Sequence, residues 1–282
     1  MFRSALGETP PGKTQDMPYR QLGKTGEKVS CIGIGGFHLG QPQLTETQEI
    51  QLFHAAIDPG INFSDNSWDY NDGESEKRVG KALKGYLQKV FVMTKFDGRT
   101  KGSALWQLYE SLQRLQVDHV DLWQFHENIR LEDPDRFFAV GGATEAMEQA
   151  RAAGKVRYLG FTGHKDPSVH LRMLELAENI TSISTPRNAH QCDLQYALGR
   201  PTSVVITGID SMQVLNQAFE AAATYTKLSS ADIAIILKET ASAAVAGKYE
   251  PFKTSTAFDS TAQHPQWLEK IPPPRNLQVS EV

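Results

Sequence analysis

Apolar residues recur along this chain at two periods. Ile61 and Phe63 alternate with Asn62 and Ser64, the pattern of a short buried strand ending near Asp65. Val90 to Lys95 is an apolar run closed by a lysine. Val120 to His126 alternates and closes on a histidine, and Val156 to Thr162 is a further strand. An earlier one spans Val29 to Ile34 and stops at Gly35-Gly36. Between these runs the period lengthens to that of a helix. Helices are predicted from Thr45 to Ala56, from Glu74 to about Tyr86, from Ser103 to Leu115, from Ala143 to Ala153 and from Pro167 to Glu178. Thr45 and Gln48 have capping-box spacing. Asn71-Asp72-Gly73 is a turn signal, and acids open the helix after it, where the macrodipole favours them. Strand and helix patterns alternating every 25 to 35 residues or so define repeated β-α units and a parallel sheet.

The alternation breaks after Glu178. Ile180 to His190 is Ser/Thr-rich and weakly patterned, with one makeshift strand available at Ile180 to Ser184. Cys192 to Leu198 reads as the end of a helix. Pro201 to Gly208 then reads as a strand, and Ser211 caps a helix to about Ala223. A complete unit needs about 30 residues, so two do not fit between Pro167 and Thr202. Ser229 to Ala246 is a capped amphipathic helix. Tyr249 to Phe258 is an extended arm, placed under the sheet assembly or near a site entrance. Residues 1–17 and 261–282 read as flexible tails around one domain, 18–260, whose gap-like region is 179–191.

Composition narrows the classes. The 282 residues are 40% hydrophobic and 22% charged, ordinary for a globular domain. The net charge of -4 has no long single-sign block, which argues against a nucleic-acid surface. The apolar runs are strand-length, which argues against a membrane span, and the N-terminus lacks the apolar core of a signal peptide. Cys31 and Cys192 form neither a CxxC pair nor a metal cluster, so no metal is expected and a cytoplasmic location with free thiols is.

The chemistry gathers at the strand ends. Three successive strands deliver Asp65 and Tyr70, then Lys95, then His126 to one edge of a parallel sheet, where such folds place their sites. A lysine beside Tyr70 favours phenolate and lowers its pKa, Asp65 keeps Lys95 charged, and His126 can hydrogen-bond the oxygen of a reacting carbonyl. Each residue alone has a plainer reading: a loop tyrosine, a capping acid, a satisfied structural histidine. Trp68 and Trp123 fit either a substrate pocket or the core, with Trp68 the better pocket candidate. Gly35-Gly36 fits either close approach of a ligand or a tight strand exit. Gly208-Ile209-Asp210-Ser211 precedes a helix N-terminus, a ready anion site.

Asp-x4-Tyr-x-x-Gly-x-Ser-Glu from Asp65, the strand-ending Thr94-Lys95 and Gln124-Phe125-His126 together resemble the aldo-keto reductases. The resemblance implies a (β/α)8 TIM-type barrel, here incomplete, with about six clear strands and the sixth and seventh strand-helix region largely missing. It implies NAD(P)H-dependent reduction of a small aldehyde or ketone, with hydride from the nicotinamide and the proton from Tyr70. NADP(H) follows family habit; NAD(H) stays open, because Asp210 would repel a 2′-phosphate. By the same resemblance Gly36, Asp65, Thr162, Gly163, Gly208, Ile209, Asp210, Ser211 and Gln217 are cofactor positions. Phe37, Trp68 and His126 line the substrate pocket. Gly163 stands where the family has an amide side chain, with His164 near enough to compensate. A non-catalytic relic or a cofactor-binding regulatory protein remains the alternative.

Overall fold

The hairpin at the start closes the bottom of the molecule. In the computed structural model, which describes residues 17–177, 182–184, 191–245, 247–248 and 250–269, β1 (Tyr19–Gln21) pairs antiparallel with β2 (Lys28–Ser30). The stretch expected as one strand from Val29 to Ile34 is split at Cys31. Lys28–Ser30 stays with the hairpin, and the first strand of the main sheet, β3, is Ile32–Gly35. Leu22 and Val29 of the hairpin pack beneath Phe63, Phe91, Met93 and Leu122, the inward-facing side chains of the sheet. Met17, expected in the tail, is buried with Cys31.

After β3 comes a single turn, α1 (Gly36–Leu39), then α2 (Glu46–Ile57), whose Thr45–Gln48 capping box is formed. Its buried Leu52, Phe53, Ala56 and Ile57 share one face at helical spacing. The next units follow in order: β4 (Phe63–Asp65) and α3 (Glu74–Ala82), β5 (Phe91–Phe96) and α4 (Lys101–Leu115), β6 (Val120–Phe125) with α5 (Asp133–Phe138) and α6 (Ala143–Ala152), and β7 (Val156–Thr162) with α7 (Pro167–Leu176). The helix after β4 ends sooner than expected, because the chain turns through Gly85 at positive φ and finishes in a 3-10 turn, Leu87–Lys89.

The short strand β8 (Ser182–Ser184) does form, parallel to β7, and raises the sheet to seven strands. Next come α8 (Gln191–Leu198), β9 (Val205–Thr207) and α9 (Met212–Ala223). The strand order is β8-β7-β6-β5-β4-β3-β9, all parallel, so the last strand returns to lie beside the first. Among the described residues no ladder joins β8 to β9. The barrel is therefore incomplete, as expected, with β8 and β9 as the terminal strands of the described sheet.

Towards the C-terminus the capped helix expected after Ser229 forms, while two other expectations fail. α10 (Ser230–Val245) is capped by Ser229 and Asp232, yet none of its residues is buried, and Ile235 and Leu237 face solvent. The flexible-tail reading is overturned for residues 261–269, with 270–282 outside the described residues, and the arm expected to be extended up to Phe258 carries a helical turn. The chain folds into α11 (Pro251–Thr254), α12 (Ser260–Gln263) and a 3-10 turn at Pro265–Leu268, which bonds back to the body. The backbone nitrogen of Arg99 donates to Leu268 O at 2.7 Å, and Gln107 Nε2 to Trp267 O at 3.1 Å. Pro272-Pro273-Pro274 lies outside the described residues.

Candidate active site

Strands β4, β5 and β6 are neighbours and parallel, so their C-terminal ends meet at one edge. Asp65 closes β4, Lys95 is the penultimate residue of β5, and His126 follows β6. Tyr70 opens a 3-10 turn beyond β4. Asn71, Asp72 and Gly73 all take left-handed backbone there, with φ of 52°, 55° and 83°. Asn, Asp and Gly are the residues that tolerate it, and the turn returns the chain into α3 with the tyrosine left at the strand ends.

Lys95 is the hub. Its buried ammonium donates to Asp65 Oδ1 at 2.5 Å, to the carbonyl of Asn66 at 2.8 Å and to the Tyr70 hydroxyl oxygen at 3.1 Å. Three donors meet three acceptors, so burial leaves none unsatisfied. Burial pulls the Lys95 pKa down, but the Asp65 carboxylate and the Tyr70 oxygen outweigh it and hold the group above its ordinary value. The expected lowering of Tyr70 does not emerge: burial of the phenol pushes its pKa up and exceeds the opposing pull of Lys95. Phe37 and His126 meet the Tyr70 ring edge-on, with centroids 5.5 and 5.9 Å away. All four residues of the expected constellation are thus together.

The structure adds neighbours that sequence reasoning missed. His126 Nδ1 lies 3.1 Å from Asp97 Oδ1, 3.3 Å from Asp69 Oδ1 and 3.3 Å from Ser67 Oγ. Buried Arg99 donates to the carbonyls of Asp97, His126 and Glu127 and makes a two-pronged ion pair with buried Asp133. It pins the ends of β5 and β6 together. Asp69 precedes Tyr70, and Asp97 and Asn128 each stand two residues beyond a tetrad member. That spacing was the only signal available, and it is a weak one.

Glu127 takes a left-handed backbone, φ 47°, uncommon for a non-glycine residue. Its buried carboxylate accepts from Ser260 N at 2.9 Å, Ser260 Oγ at 2.6 Å and Thr261 N at 2.8 Å. Ser260 Oγ also sits 2.7 Å from Asp69 Oδ2. The C-terminal strap, residues 251–268, is therefore docked at the site through Ser260 and Thr261, beyond the Tyr249 to Phe258 arm that was expected near a site entrance. Asp69, His126 and Glu127 bring one ligand atom each within 4.8 Å of one another; hydrogen bonds through Ser67 and Ser260 already link that cluster.

The remaining sequence candidates are placed as follows. Trp68 is buried under the strap, edge-on to Trp106 and Trp267, with Nε1 donating to Glu110. Trp123 is core, packed at a tilt against Phe96 with ring centroids 4.0 Å apart. Gly36 packs so closely on Asn66 and Ser75 that a Cβ would lie 2.7 to 2.8 Å from their side chains, which accounts for the glycine by packing. Gly163 likewise abuts His170 and the Asn128 carbonyl, and Gly208 abuts the His38 ring. Thr162 is buried at the end of β7, and its carbonyl accepts from Asn128 Nδ2 at 2.6 Å. His164 is turned to Asp259 at 3.2 Å. Ile209 is buried, Asp210 and Gln217 are exposed, and Ser211 caps α9 by accepting from Val214 N.

A parallel, barrel-derived sheet that carries a buried Asp-Lys-Tyr chain and a histidine at its C-terminal edge marks a (β/α) protein with polar groups gathered at its strand ends. The family model described as "Aldo/keto reductase family" matches residues 31–185, more than half of the chain. This protein belongs to the aldo/keto reductase family. It is 32% identical over 161 residues to aldo-keto reductase YhdN of Bacillus subtilis, covering 52% of this chain and 47% of that one. It is 33% identical over 155 residues to L-galactose dehydrogenase of Arabidopsis thaliana, covering 51% and 48%. The chain spans about half the length of the curated relatives it matches. Its fold resembles that of the holo form of a Bacillus halodurans aldo-keto reductase, with TM-score 0.68, 23% identity and coverage of 79% of this chain and 96% of that one. A Klebsiella pneumoniae aldo/keto reductase in complex with NADP and acetate gives a TM-score of 0.64 at 20% identity, over 78% and 94%. No helix among the described residues is long and apolar enough to cross a membrane.

Proposed function

We propose that this protein is an NAD(P)H-dependent oxidoreductase that reduces a small aldehyde or ketone to an alcohol, working as a soluble cytoplasmic enzyme. The observation that carries this reading is the buried chain Asp65–Lys95–Tyr70, with contacts of 2.5 and 3.1 Å, beside His126. Tyr70 donates the proton to the carbonyl oxygen. Lys95, held charged by Asp65, stabilises the phenolate left behind. His126 orients the same oxygen.

Asn128 Oδ1 and Asn66 Nδ2 are buried without a hydrogen-bond partner among the described residues, next to the strand ends that carry the tetrad. An acceptor and a donor of this kind suit an amide-bearing ligand such as a nicotinamide carboxamide, and Asn128 offers beside Thr162 the amide that Gly163 lacks. The segment Gly208–Ser211, ahead of α9, would face the phosphates. When bound, a reduced nicotinamide supplies the hydride. NADP(H) is favoured by the cofactor named for the Klebsiella relative; NAD(H) is the variant to test against it.

The test combines binding and turnover. NADPH and NADH are titrated into the folded protein by ligand fluorescence, then wild type and Tyr70→Phe are assayed on a panel of small aldehydes and ketones. Wild type is expected to bind and reduce, and Tyr70→Phe to bind equally well and lose reduction. A folded protein that binds neither cofactor returns the non-catalytic reading. Equal loss of binding and turnover in Tyr70→Phe removes the proton-donor role.

A further inference from the structure

The ring of His126 has all of its hydrogen-bond partners among the described residues on one atom, Nδ1. Ser67 carries a single hydroxyl proton, and its Oγ lies 2.5 Å from Asp69 Oδ1, which commits that proton to the carboxylate. Towards Nδ1, Ser67 therefore presents only lone pairs. Asp97 Oδ1 and Asp69 Oδ1 are acceptors as well, so Nδ1 must carry a hydrogen.

This leaves two forms of the ring. In the neutral Nδ1–H tautomer, Nε2 is a bare acceptor and cannot donate to a carbonyl oxygen. In the imidazolium, Nε2 keeps its hydrogen and can. A single carboxylate at Nδ1 leaves both forms accessible; two buried carboxylates favour the cation. Asp97 is fully buried, its second oxygen has no hydrogen-bond partner among the described residues, and its Oδ1 is turned to the ring. Behind Asp69, Ser260 Oγ of the strap lies 2.7 Å from Oδ2, with one hydroxyl proton to divide between that oxygen and Glu127 Oε1. The other charged or titratable groups facing the ring are Tyr70, Glu127 and His164. Arg99 and Lys95, the nearest permanent cations, are each already engaged by a carboxylate.

We propose that Asp69 and Asp97 are positioning residues that clamp His126 at Nδ1 and hold it as a doubly protonated imidazolium, with Nε2–H as the donor. In the reaction proposed above, on which this role rests, that donor joins the Tyr70 hydroxyl at the carbonyl oxygen. Burial opposes the cation, but Asp69 and Asp97 together hold the imidazole well above its ordinary pKa. Burial of Asp97 and its repulsion from Asp69 push that acid up to about 6, while the imidazolium holds Asp69 far below the usual range against its own burial. The pair is thus unequal, with Asp69 the firmer anion and Asp97 ionised only above mildly acidic pH.

The test uses the full chain labelled with 15N-histidine, followed by long-range proton–nitrogen correlation, with His126 assigned by its loss in His126→Gln. At pH 7 both ring nitrogens of His126 are expected in the protonated range. In the Asp69→Asn/Asp97→Asn double variant they are expected to give the single-proton signature, with the second proton lost below pH 8. Asp97→Asn alone serves if the double variant fails to fold, and should titrate at an intermediate pH. In turnover, Asp97→Asn should lose at least tenfold in kcat at pH 8 with KM little changed, and recover towards pH 6. A neutral His126 in wild type, or an imidazolium unmoved by the substitutions, overturns the proposal. The spectra need no turnover, so an inactive protein with the expected spectra loses the reductase reading and keeps the clamp.

Discussion

Glu127→Gln should release the C-terminal strap without unfolding the body. Glutamine keeps the shape and the left-handed backbone of residue 127, so strain there cancels between the two proteins and only the charge changes. The wild-type carboxylate receives two backbone N–H groups and one hydroxyl at 2.6 to 2.9 Å. Hydrogen bonds to a charged group contribute about 1.5 to 3 kcal/mol each, against about 1 for neutral ones. In the variant one amide oxygen can still serve Ser260. The NH2 group must then face the N–H of Thr261, donor against donor, leaving a buried N–H unpaired at about 1 to 3 kcal/mol. Relief of repulsion from Asp69 and Asp97 offsets part of this. A net loss of about 2 kcal/mol follows, or roughly thirtyfold in the opening equilibrium of the strap. Hydrogen exchange read by mass spectrometry should show protection falling by about that factor in peptides covering 251–268, with β5 and β6 unchanged. Unchanged protection in the strap would refute the reasoning. So would an equal loss in the strands, which would make strap and body one cooperative unit.

Two other expectations concern buried charge. Lys95→Met should cost about 3 to 5 kcal/mol in urea unfolding, because it strands the Asp65 carboxylate, whereas Lys95→Met with Asp65→Asn should recover much of that; a single variant as stable as wild type would contradict the burial of the pair. Glu49 is held up at about 7 by burial against the pull of Arg78, from an ordinary 4.5. The unfolded chain therefore sheds this proton first as pH rises, and the Glu49 contribution to stability falls between about pH 4.5 and 7. Glu49→Gln should flatten that fall in denaturation midpoints measured across the window, and an unchanged slope would exclude Glu49 as its source.

Periodicity made most of the architecture legible. The strands before each helix, the Thr45 cap and the convergence of Asp65, Tyr70, Lys95 and His126 all follow from local patterns, because parallel strands put their C-terminal ends on one edge. What stayed hidden depends on partners distant in sequence. Glu127 reaches Ser260, 133 positions away, and no local signal marks that pairing. Trp68 on its loop looked like a pocket wall, but Trp106, Trp267 and Glu110 enclose it. Asp97 carried no signal of its own in the sequence, and it is the pairing of β5 with β6 that brings His126 beside it. The stretch around Ile183 lacked the length and alternation of a strand, and forms one because the edge of β7 offers it a ladder. In α10 the caps were readable and the packing was not, since a helix pattern states which face is apolar and not whether anything covers it.

The interval between β8 and β9 lies on the arc away from the chemistry. The strands that carry the tetrad, β4 to β6, keep both of their flanking neighbours, β3 and β7. Any disturbance at the gap must cross a complete strand before it reaches Asp65 or His126. For protein engineering this makes the gap a docking bay. Two strand edges with no ladder partner among the described residues stand there to template a complementing fragment, such as a separately expressed pair of strand–helix units. Closure of the ring could then be added or withheld as an independent variable, with the reacting groups left where they are.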